Sequence, residues 1–446
     1  MKMAVPTVIS QLINLIYSIV DTFFIGQTGD AYKTAAVTLA FTIFMMTIAF
    51  SNLFGIGGGS HIARLIGRGE DRHAKSVSSF SFYCAIATAL LYSLLIFSFE
   101  DSILNLFGAS EKTIEYAKQY VLLVVIIGNL PNILSMTVSH LLRNAGYSKQ
   151  AGFGLSAGGI INMILDPILM FVVFPSGMEV FGAALATLIA NSISCIYLVI
   201  MLKRVSASSP LSMDIRLIRS IRRFDIKEVF AVGVPSAVLP GLFDVANIFL
   251  NKLSSAHGDL ELAAMGIVMK AERLPNAINI GLCQGMLPIV AYNFSSGNRE
   301  RMKETIKKVR EYGMIISVFS IILFEISVSP VCRLFLSTSS DDAGSAEAVI
   351  ALATVFLRFR CLASLSQFMN YHSSYCLQAI GAGRDTLIHA VVRELVFYIP
   401  FMFALDVLFG ANGLASALLA GETVGALFAL MLLRRQLKKQ PSLKAA

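Results

Sequence analysis

Two aspartates interrupt apolar segments of the chain, and each could bind a small cation. Asp21 lies in the first apolar segment and Asp166 in the fifth. A charged side chain at the centre of an inserting helix costs about 2.5–3.5 kcal/mol, so acids at such positions are rare and commonly functional. Because a medium of low dielectric disfavours the ionised carboxylate, an aspartate placed there can exchange a proton near neutral pH. The alternative is a structural carboxylate that is hydrogen-bonded to a neighbouring helix.

Polar residues share a helical face with both acids. Spacings of i, i+4, i+7 and i+11 form one stripe along the first segment, made of Ser10, Asn14, Tyr17 and Asp21. Asn162 lies one turn before Asp166, so both side chains point from the same face. Such a stripe on an otherwise apolar helix indicates a cavity rather than lipid. Pro6 removes a backbone hydrogen bond before the stripe, which predicts a bend in the first helix.

The helices that carry these residues are predicted to span a membrane. Of the 446 residues, 56% are hydrophobic and only 14% are charged, whereas soluble domains carry roughly 25% charged residues. Apolar stretches of about 20 residues, the length that a helix needs to cross the hydrocarbon, recur along the whole chain. We therefore predict an all-α integral membrane protein with twelve spans, at 4–27, 35–60, 77–99, 119–141, 152–174, 181–202, 229–253, 262–292, 312–336, 349–377, 387–409 and 412–433.

Basic residues are concentrated in one set of the predicted loops. Most of the 36 Lys and Arg residues lie at the termini or in loops after even-numbered spans. Loops after odd-numbered spans hold only Lys33, Lys112 and Lys118, with Arg333 at the end of the ninth span. By the positive-inside rule, both termini are expected on the cytoplasmic side of the plasma (inner) membrane. The net charge of +8 thus reflects topology, and no nucleic-acid partner is expected.

The two halves of the chain resemble each other. An offset of 229 aligns Pro6 with Pro235, and similar offsets align further glycines, alanines and basic residues in the same order. We predict two parallel six-helix repeats, an N-terminal lobe (1–202) and a C-terminal lobe with a short basic tail (229–446). They are joined by a cytoplasmic linker with an amphipathic helix (203–228). Parallel repeats are typical of secondary transporters whose substrate site lies between the halves.

The second half carries its own charged candidates. A stripe at the same spacing comprises Pro240, Asp244, Asn247 and Asn251. Asp244 is either a functional acid or the partner of Lys252, Lys270 or Arg273 in a salt bridge. Lys270 and Arg273 could equally balance Glu272 inside the bundle. Further intramembrane candidates, without a recognisable stripe, are Glu325, Arg358, Arg360 and Glu422.

Metal and enzyme chemistry are not indicated. The six cysteines form no CxxC pair, and the six histidines show no spacing typical of a metal site or a catalytic triad. The run from Gly55 to Gly59 follows no predicted strand and precedes no Lys-Ser or Lys-Thr. It therefore predicts close helix packing or a hinge rather than a phosphate-binding loop. We expect a protein that is not an enzyme and holds no cofactor beyond a coupling ion, H+ or Na+.

Several motifs resemble the multidrug and toxic compound extrusion (MATE) family of cation-coupled efflux transporters. They are Val5-Pro6, Val20-Asp21-Thr22-Phe23-Phe24-Ile25-Gly26, Asn162-x-x-Leu165-Asp166-Pro167 and Gly285-x-x-Pro288-x-x-x-Tyr292-Asn293-Phe294. The last run is similar to the branch that includes the multidrug exporters of Gram-positive bacteria. The likeness covers residues 4 to about 435. It implies a V-shaped pair of six-helix lobes in the lipid bilayer, acting as a monomer. It also implies export of cationic, amphipathic drugs or dyes against protons or sodium.

By position, the resemblance implies a cation site in the first lobe, with Pro6 as the bending point of the first helix. Its residues are Asp21, Asn162 and Asp166, together with Asn14 and Tyr17. Pliable methionine and aromatic walls suit varied cationic ligands. The expected substrate cavity comprises Phe41, Phe44, Met45, Met163, Met170, Asp244 and Asn247. Some branches of the family place an acidic pair in the second lobe, and Asp244 shows no clear alignment with that pair.

Two other functions stay open at this point. A lipid-linked saccharide flippase of the same superfamily would need a basic cavity for pyrophosphate, for which the candidates are Lys270, Arg273, Arg358 and Arg360. A multispan membrane transferase would need a set of catalytic residues at the membrane face, and the sequence shows no such set.

Overall fold

The chain folds into helices that pack as two compact units. The computed structural model describes residues 3–335 and 343–439, and no strand occurs among them. The first unit comprises Met1–Ala237 and the second Val238–Ala446. The prediction of an all-α fold is confirmed. The end of the predicted basic tail, residues 440–446, lies outside the described residues.

The first unit contains seven helices and the start of an eighth. They are α1 (Ala4–Gly26), α2 (Ala31–Gly67), α3 (Asp71–Leu106), α4 (Ile114–Val121), α5 (Asn129–Asn144), α6 (Ser148–Ile168), α7 (Glu179–Ser206) and α8 (Arg223–His257). A π-helical segment, Leu122–Ile127, joins α4 to α5, and another, Leu169–Val173, extends α6. Asp30 caps α2, since its carboxylate accepts a hydrogen bond of 2.8 Å from the Tyr32 amide.

The second unit continues from α8. Its further helices are α9 (Asp259–Ser295), α10 (Arg299–Phe335), α11 (Ala343–Cys361), α12 (Ser364–Ala379), α13 (Gly383–Val391) and α14 (Ile399–Lys438). A third π-helical segment, Val392–Tyr398, connects α13 to α14. The core of this unit lies among α8, α9, α10, α11 and α14, where apolar side chains such as Val268, Phe356 and Leu418 are almost fully buried.

The predicted number of membrane crossings agrees with these helices. Among the described residues, nine helices are long and apolar enough to cross, or eleven when the bent pairs α4–α5 (47°) and α11–α12 (45°) each count once. One of the nine, Gly383–Lys438, has 56 residues, a length of about 84 Å and more than twice the hydrocarbon thickness. It breaks at Gly410, whose φ of 61° and ψ of −145° are not helical. This segment therefore provides two crossings, which gives twelve.

The membrane crossings of the two halves show the same local features in the same order. The fourth and tenth crossings are the bent pairs, and the fifth and eleventh crossings each contain a π-helical segment. The turns after the second and eighth crossings each hold a glycine with positive φ, Gly69 at 74° and Gly297 at 77°. Glycine adopts this region without a Cβ clash. These matches support the predicted six-plus-six duplication.

The glycine run in α2 packs against three other helices. A Cβ on Gly57 would collide with the Val229 carbonyl of α8, and one on Gly59 would lie 2.5 Å from the Asn144 side chain of α5. A Cβ on Gly58 would likewise collide with the Ser81 hydroxyl of α3. The interpretation of this run as a close-packing surface is confirmed.

The segment between the repeats is held against the first unit. Where the sequence predicts a cytoplasmic linker with an amphipathic helix, the structure has a six-residue 3-10 helix, Ile215–Ser220. The extended segment before it lies on α3, since Ser78 Oγ donates to the Ser212 carbonyl at 2.9 Å.

The two units divide inside α8, nine residues beyond the predicted linker. The reason is that the first turns of α8 are bound to α2. His61 Nε2 lies 2.9 Å from Asp225 Oδ1, and Arg64 donates to Glu228 Oε2 at 2.9 Å. His61, Arg64 and Asp225 are almost fully buried.

Candidate cation site

The site is built where α1 packs along α6, and glycines permit the close approach. A Cβ on Gly152 would lie 2.7 Å from the Pro6 carbonyl oxygen, and one on Gly159 would lie 2.9 Å from Ile13 Cγ2. The two contacting pairs, Pro6 with Gly152 and Ile13 with Gly159, are separated by the same number of residues in sequence. This is the pattern of two helices that run side by side in the same direction. Extended by two turns, this register brings Asp21 of α1 to the level of Asp166 of α6.

Asp166 is held by a buried amide. Asn162 Nδ2 donates to Asp166 Oδ1 at 3.3 Å and to Thr187 Oγ1 of α7 at 3.3 Å. Asp166 is 0% exposed and Asn162 is 2% exposed. Pro167 lies next to the carboxylate, and the helix changes to π-helical geometry two residues later. Such π-helical segments occur frequently at functional sites.

Asp21 approaches the same place from α1. Its carboxylate is close enough to that of Asp166 for the two to interact electrostatically, and Tyr17 interacts with both. Asn14 is half-buried and lies one turn before Tyr17 on α1. The structure thus brings Tyr17, Asp21, Asn162 and Asp166 together.

Two members of the site are not evident from the sequence. Thr187 of α7 accepts the second hydrogen bond of Asn162, and the buried Tyr120 of α4 interacts with Thr187 and with both aspartates. A threonine or a tyrosine in an apolar helix carries no charge that would mark it as costly. No spacing pattern in the sequence points to either of them.

The two carboxylates have no cationic partner among the described residues. Three oxygens are buried without a hydrogen-bond donor, namely Asp21 Oδ1, Asn162 Oδ1 and Asp166 Oδ2. Lys33, a basic residue of the same unit, is bound to Glu179 at 2.8 Å. A buried acceptor without a donor costs about 1–3 kcal/mol. The residues therefore fit a bound proton, which would convert a carboxylate oxygen into a donor, or a hard cation that takes oxygen ligands.

α1 is a continuous helix from Ala4 to Gly26, with Pro6 in its first turn. The first four amides of a helix have no intrahelical acceptor, so a proline there breaks no hydrogen bond. α1 therefore runs through Pro6 without a break, and the role of Pro6 as its bending point stays a prediction.

The predicted cavity residues divide into two groups. Phe41 is 38% exposed, and Met45 and Met163 are half-buried. Phe44 and Met170 are instead 8% and 1% exposed and belong to an apolar core. These two side chains are enclosed by their neighbours and do not face open space in this conformation.

In the second unit, Asp244 is exposed and Asn247 is half-buried. Arg273 is near enough to Asp244 to interact with it, but no ion pair of Asp244 occurs in the described part of the chain. The salt bridge that was one of the two alternatives for Asp244 is therefore not formed among the described residues. Lys270 and Arg273 are both exposed.

The partner of Glu272 is neither of those two residues. Arg360 donates two hydrogen bonds to Glu272, at 2.6 and 2.9 Å, and one to the Tyr398 hydroxyl at 3.3 Å. The guanidinium that the flippase alternative would use for pyrophosphate is thus bound to a carboxylate. At the surface of the unit, Arg358 lies 3.6 Å from Glu325.

Comparisons with known proteins agree with this arrangement. The MatE family model matches the chain twice, at residues 6–168 and 235–404. The matches begin at Pro6 and Pro235, the two prolines that the predicted repeat aligns. They include both aspartates of the site.

Similar proteins cover nearly the whole chain. The multidrug export protein MepA of Staphylococcus saprophyticus is 32% identical over 97% of this chain and 92% of its own length. MepA of Staphylococcus aureus strain MRSA252 is 32% identical with the same coverage. A solved MATE structure in complex with MaL6 has a TM-score of 0.90 at 23% identity, covering 98% of this chain and 95% of that one.

Proposed function

The chain belongs to the MatE family, and from this premise we propose that it exports cationic, amphipathic compounds in exchange for protons or sodium ions. It is a multi-pass membrane transporter and not an enzyme. The proposal extends to this chain the activity stated in the names of its relatives, multidrug export. A location in the plasma membrane, with both termini in the cytoplasm, is part of the same proposal.

One observation carries the proposal. Asp21 and Asp166 lie near each other in the first unit, and neither forms an ion pair with a described basic residue. A structural carboxylate in a dry interior is normally paired with a cation or fully hydrogen-bonded. These carboxylates keep unused oxygens, which supports a role in binding a mobile cation.

The mechanism is a competition for negative charge. Ionised Asp21 and Asp166 attract a cationic compound, and uptake of the coupling ion neutralises part of that charge. The affinity for the exported cation then falls, and a difference of about 2.8 kcal/mol gives a hundredfold change in occupancy. Asn162 holds Asp166 in place throughout, because its amide is also fixed by Thr187.

Dye efflux from intact cells tests the roles of the aspartates. Asp21→Asn and Asp166→Asn preserve side-chain size but cannot ionise, so we expect each to lower efflux at least tenfold. Asp101→Asn is a matched control, because Asp101 is an exposed acid that binds Lys118 in the same unit, and it should keep wild-type efflux. Wild-type efflux by both site variants, at equal abundance in the membrane, would overturn the proposal.

Purified protein in proteoliposomes identifies the coupling ion. If protons are exchanged, the compound should cause a change in internal pH that is independent of sodium and absent in Asp166→Asn. If sodium is exchanged, transport should require a sodium gradient, with no change in pH. Transport that responds to neither gradient contradicts ion-coupled export.

Thiol labelling of single-cysteine variants tests the orientation. Ala207 lies in the loop after α7 and Glu111 in the loop after α3, and both are exposed. In a background without the native cysteines, an impermeant reagent added to intact cells should label Glu111→Cys and not Ala207→Cys. The reverse pattern would place the termini outside.

A further inference from the structure

The second unit encloses a group of charged side chains around the π-helical segment Val392–Tyr398. Arg393 and Glu394 lie on this segment and Glu422 on α14, and each is at most 3% exposed. Arg393 donates to Glu422 at 2.6 Å through one guanidinium nitrogen and at 3.1 Å through Nε. Asn370 of α12 adds a bond of 2.6 Å to the same carboxylate. Glu422 is therefore fully compensated.

Glu394 is not compensated in the same way. Its Oε1 lies 3.5 Å from Arg393 Nε, and its Oε2 is buried without any hydrogen-bond partner. Both short bonds of Arg393 go to Glu422 instead. One guanidinium thus faces two carboxylates, and only one of them receives its strong hydrogen bonds.

No other described group supplies the missing charge. On α11, the Arg360 guanidinium is bound to Glu272 of α9 and to Tyr398. The two guanidiniums of this region, Arg360 and Arg393, therefore serve three carboxylates. If all five groups were ionised, one negative charge would remain in the buried interior, where it is strongly disfavoured.

Two further titratable groups of this cluster, His389 and Tyr371, have surroundings that suit their neutral forms. His389 of α13 lies 3.0 Å from the Asn370 oxygen through Nε2 and 2.8 Å from Ser374 Oγ through Nδ1. These partners suit the neutral ring, since Nε2 donates to the amide oxygen and Nδ1 accepts from the hydroxyl. The Tyr371 ring of α12 packs against the Arg393 guanidinium, with 5.2 Å between the guanidinium carbon and the ring centre.

We propose that Glu394 binds a proton in this conformation and is a second proton-exchanging site of the transporter, located in the second unit. The proton removes the unmatched charge and gives Glu394 a donor. When it leaves for water, the Glu394 carboxyl becomes a carboxylate and competes with Glu422 for Arg393. Because Arg393 and Glu394 are neighbours on a π-helical segment, this competition changes how that segment is bound to α14. The inference rests on the proposed antiport.

The number of protons exchanged per exported molecule tests the proposal. In proteoliposomes containing the full-length protein, Glu394→Gln should lower this number by one while transport continues through the first-unit site. At zero membrane potential, the largest gradient of compound that the protein can maintain should fall roughly tenfold per unit of pH gradient. Glu347→Gln is the matched control, because Glu347 is an exposed acid of the same unit, and it should leave the number unchanged.

Infrared spectroscopy provides an independent readout of the bound proton. The wild type should show protonated-carboxyl C=O absorption that shifts in D2O. Glu394→Gln should lose the part of this band that Glu394 contributes, and Glu394→Asp should restore a carboxyl band. An unchanged band in Glu394→Gln, or an unchanged proton number, overturns the inference. Wild-type protein that exchanges no protons would instead refute proton antiport itself, so the two failures are distinguishable.

Discussion

The ion pair between Glu272 and Arg360 is expected to stabilise the second unit rather than to bind a coupling ion. Glu272 is 9% exposed and Arg360 is 3% exposed, and two short hydrogen bonds join them. Removing one partner of such a pair leaves an uncompensated buried charge, which costs about 3–5 kcal/mol. Glu272→Gln and Arg360→Gln should each lower the free energy of unfolding by that amount. The folded-to-unfolded ratio then falls by roughly two to four powers of ten.

Removing both partners is expected to cost much less than the sum of the single changes. Replacement of a buried ion pair by apolar residues of similar volume is often nearly neutral. In Glu272→Met/Arg360→Met, the Tyr398 hydroxyl also loses its donor, a loss of about 1 kcal/mol. The double variant should therefore be within about 1–2 kcal/mol of wild type, and dye export by the folded protein should persist.

Thermal unfolding in detergent, followed with a thiol-reactive dye, measures these differences. Four free, buried cysteines report on the second unit, namely Cys283, Cys332, Cys361 and Cys376. Arg333→Gln is the control, because Arg333 pairs with Glu347 at 3.0 Å on an exposed surface, where such pairs contribute about 0–1 kcal/mol. Additive effects of the two single changes in the double variant, or loss of export with unchanged stability, would refute a structural role.

Three further changes have defined outcomes. Gly152→Leu should abolish transport in proteoliposomes, because its Cβ would meet the Pro6 carbonyl and separate α1 from α6. The control Gly266→Leu, where a Cβ meets nothing within 4 Å, should transport normally in the same assay. Thr187→Val removes the second acceptor of Asn162 and should weaken apparent affinity for the coupling ion about fivefold, the equivalent of about 1 kcal/mol; an unchanged ion titration would contradict this. Asp225→Asn should release the first turns of α8 from α2 and speed tryptic cleavage in the basic segment 203–223, and an unchanged cleavage rate would show that the network is dispensable.

The central acids could be predicted because a charge in an apolar segment is costly and therefore conspicuous. Helical spacing then indicated that Tyr17 shares a face with Asp21 and Asn162 with Asp166. The partner helix could not be derived in this way, since the approach of α1 to α6 depends on glycines such as Gly152, whose role is visible only when the opposing backbone is known. Thr187 was missed for a related reason, because its function depends on a neighbour 25 residues away.

Helix lengths and charge pairing show the same limit. Hydropathy predicted the third span at 77–99, but the helix is longer at both ends and covers Asp71–Leu106. The reason is that hydropathy marks only the part of a helix that lies in hydrocarbon. The sequence offered Lys270 and Arg273 as partners for Glu272, since they are its neighbours along α9. The structure uses Arg360, which is 88 residues away and donates from another helix.

The attachment of α8 to α2 has a consequence for how the protein is made. A ribosome that has released α7 has produced six crossings, yet the surface around Gly57 still lacks Gly233, and the buried side chains of His61 and Arg64 still lack their acidic partners. Maturation of the first unit must therefore await synthesis and insertion of the seventh crossing. A gene cut between α7 and α8 would yield an N-terminal fragment that becomes complete only when the C-terminal fragment is co-expressed.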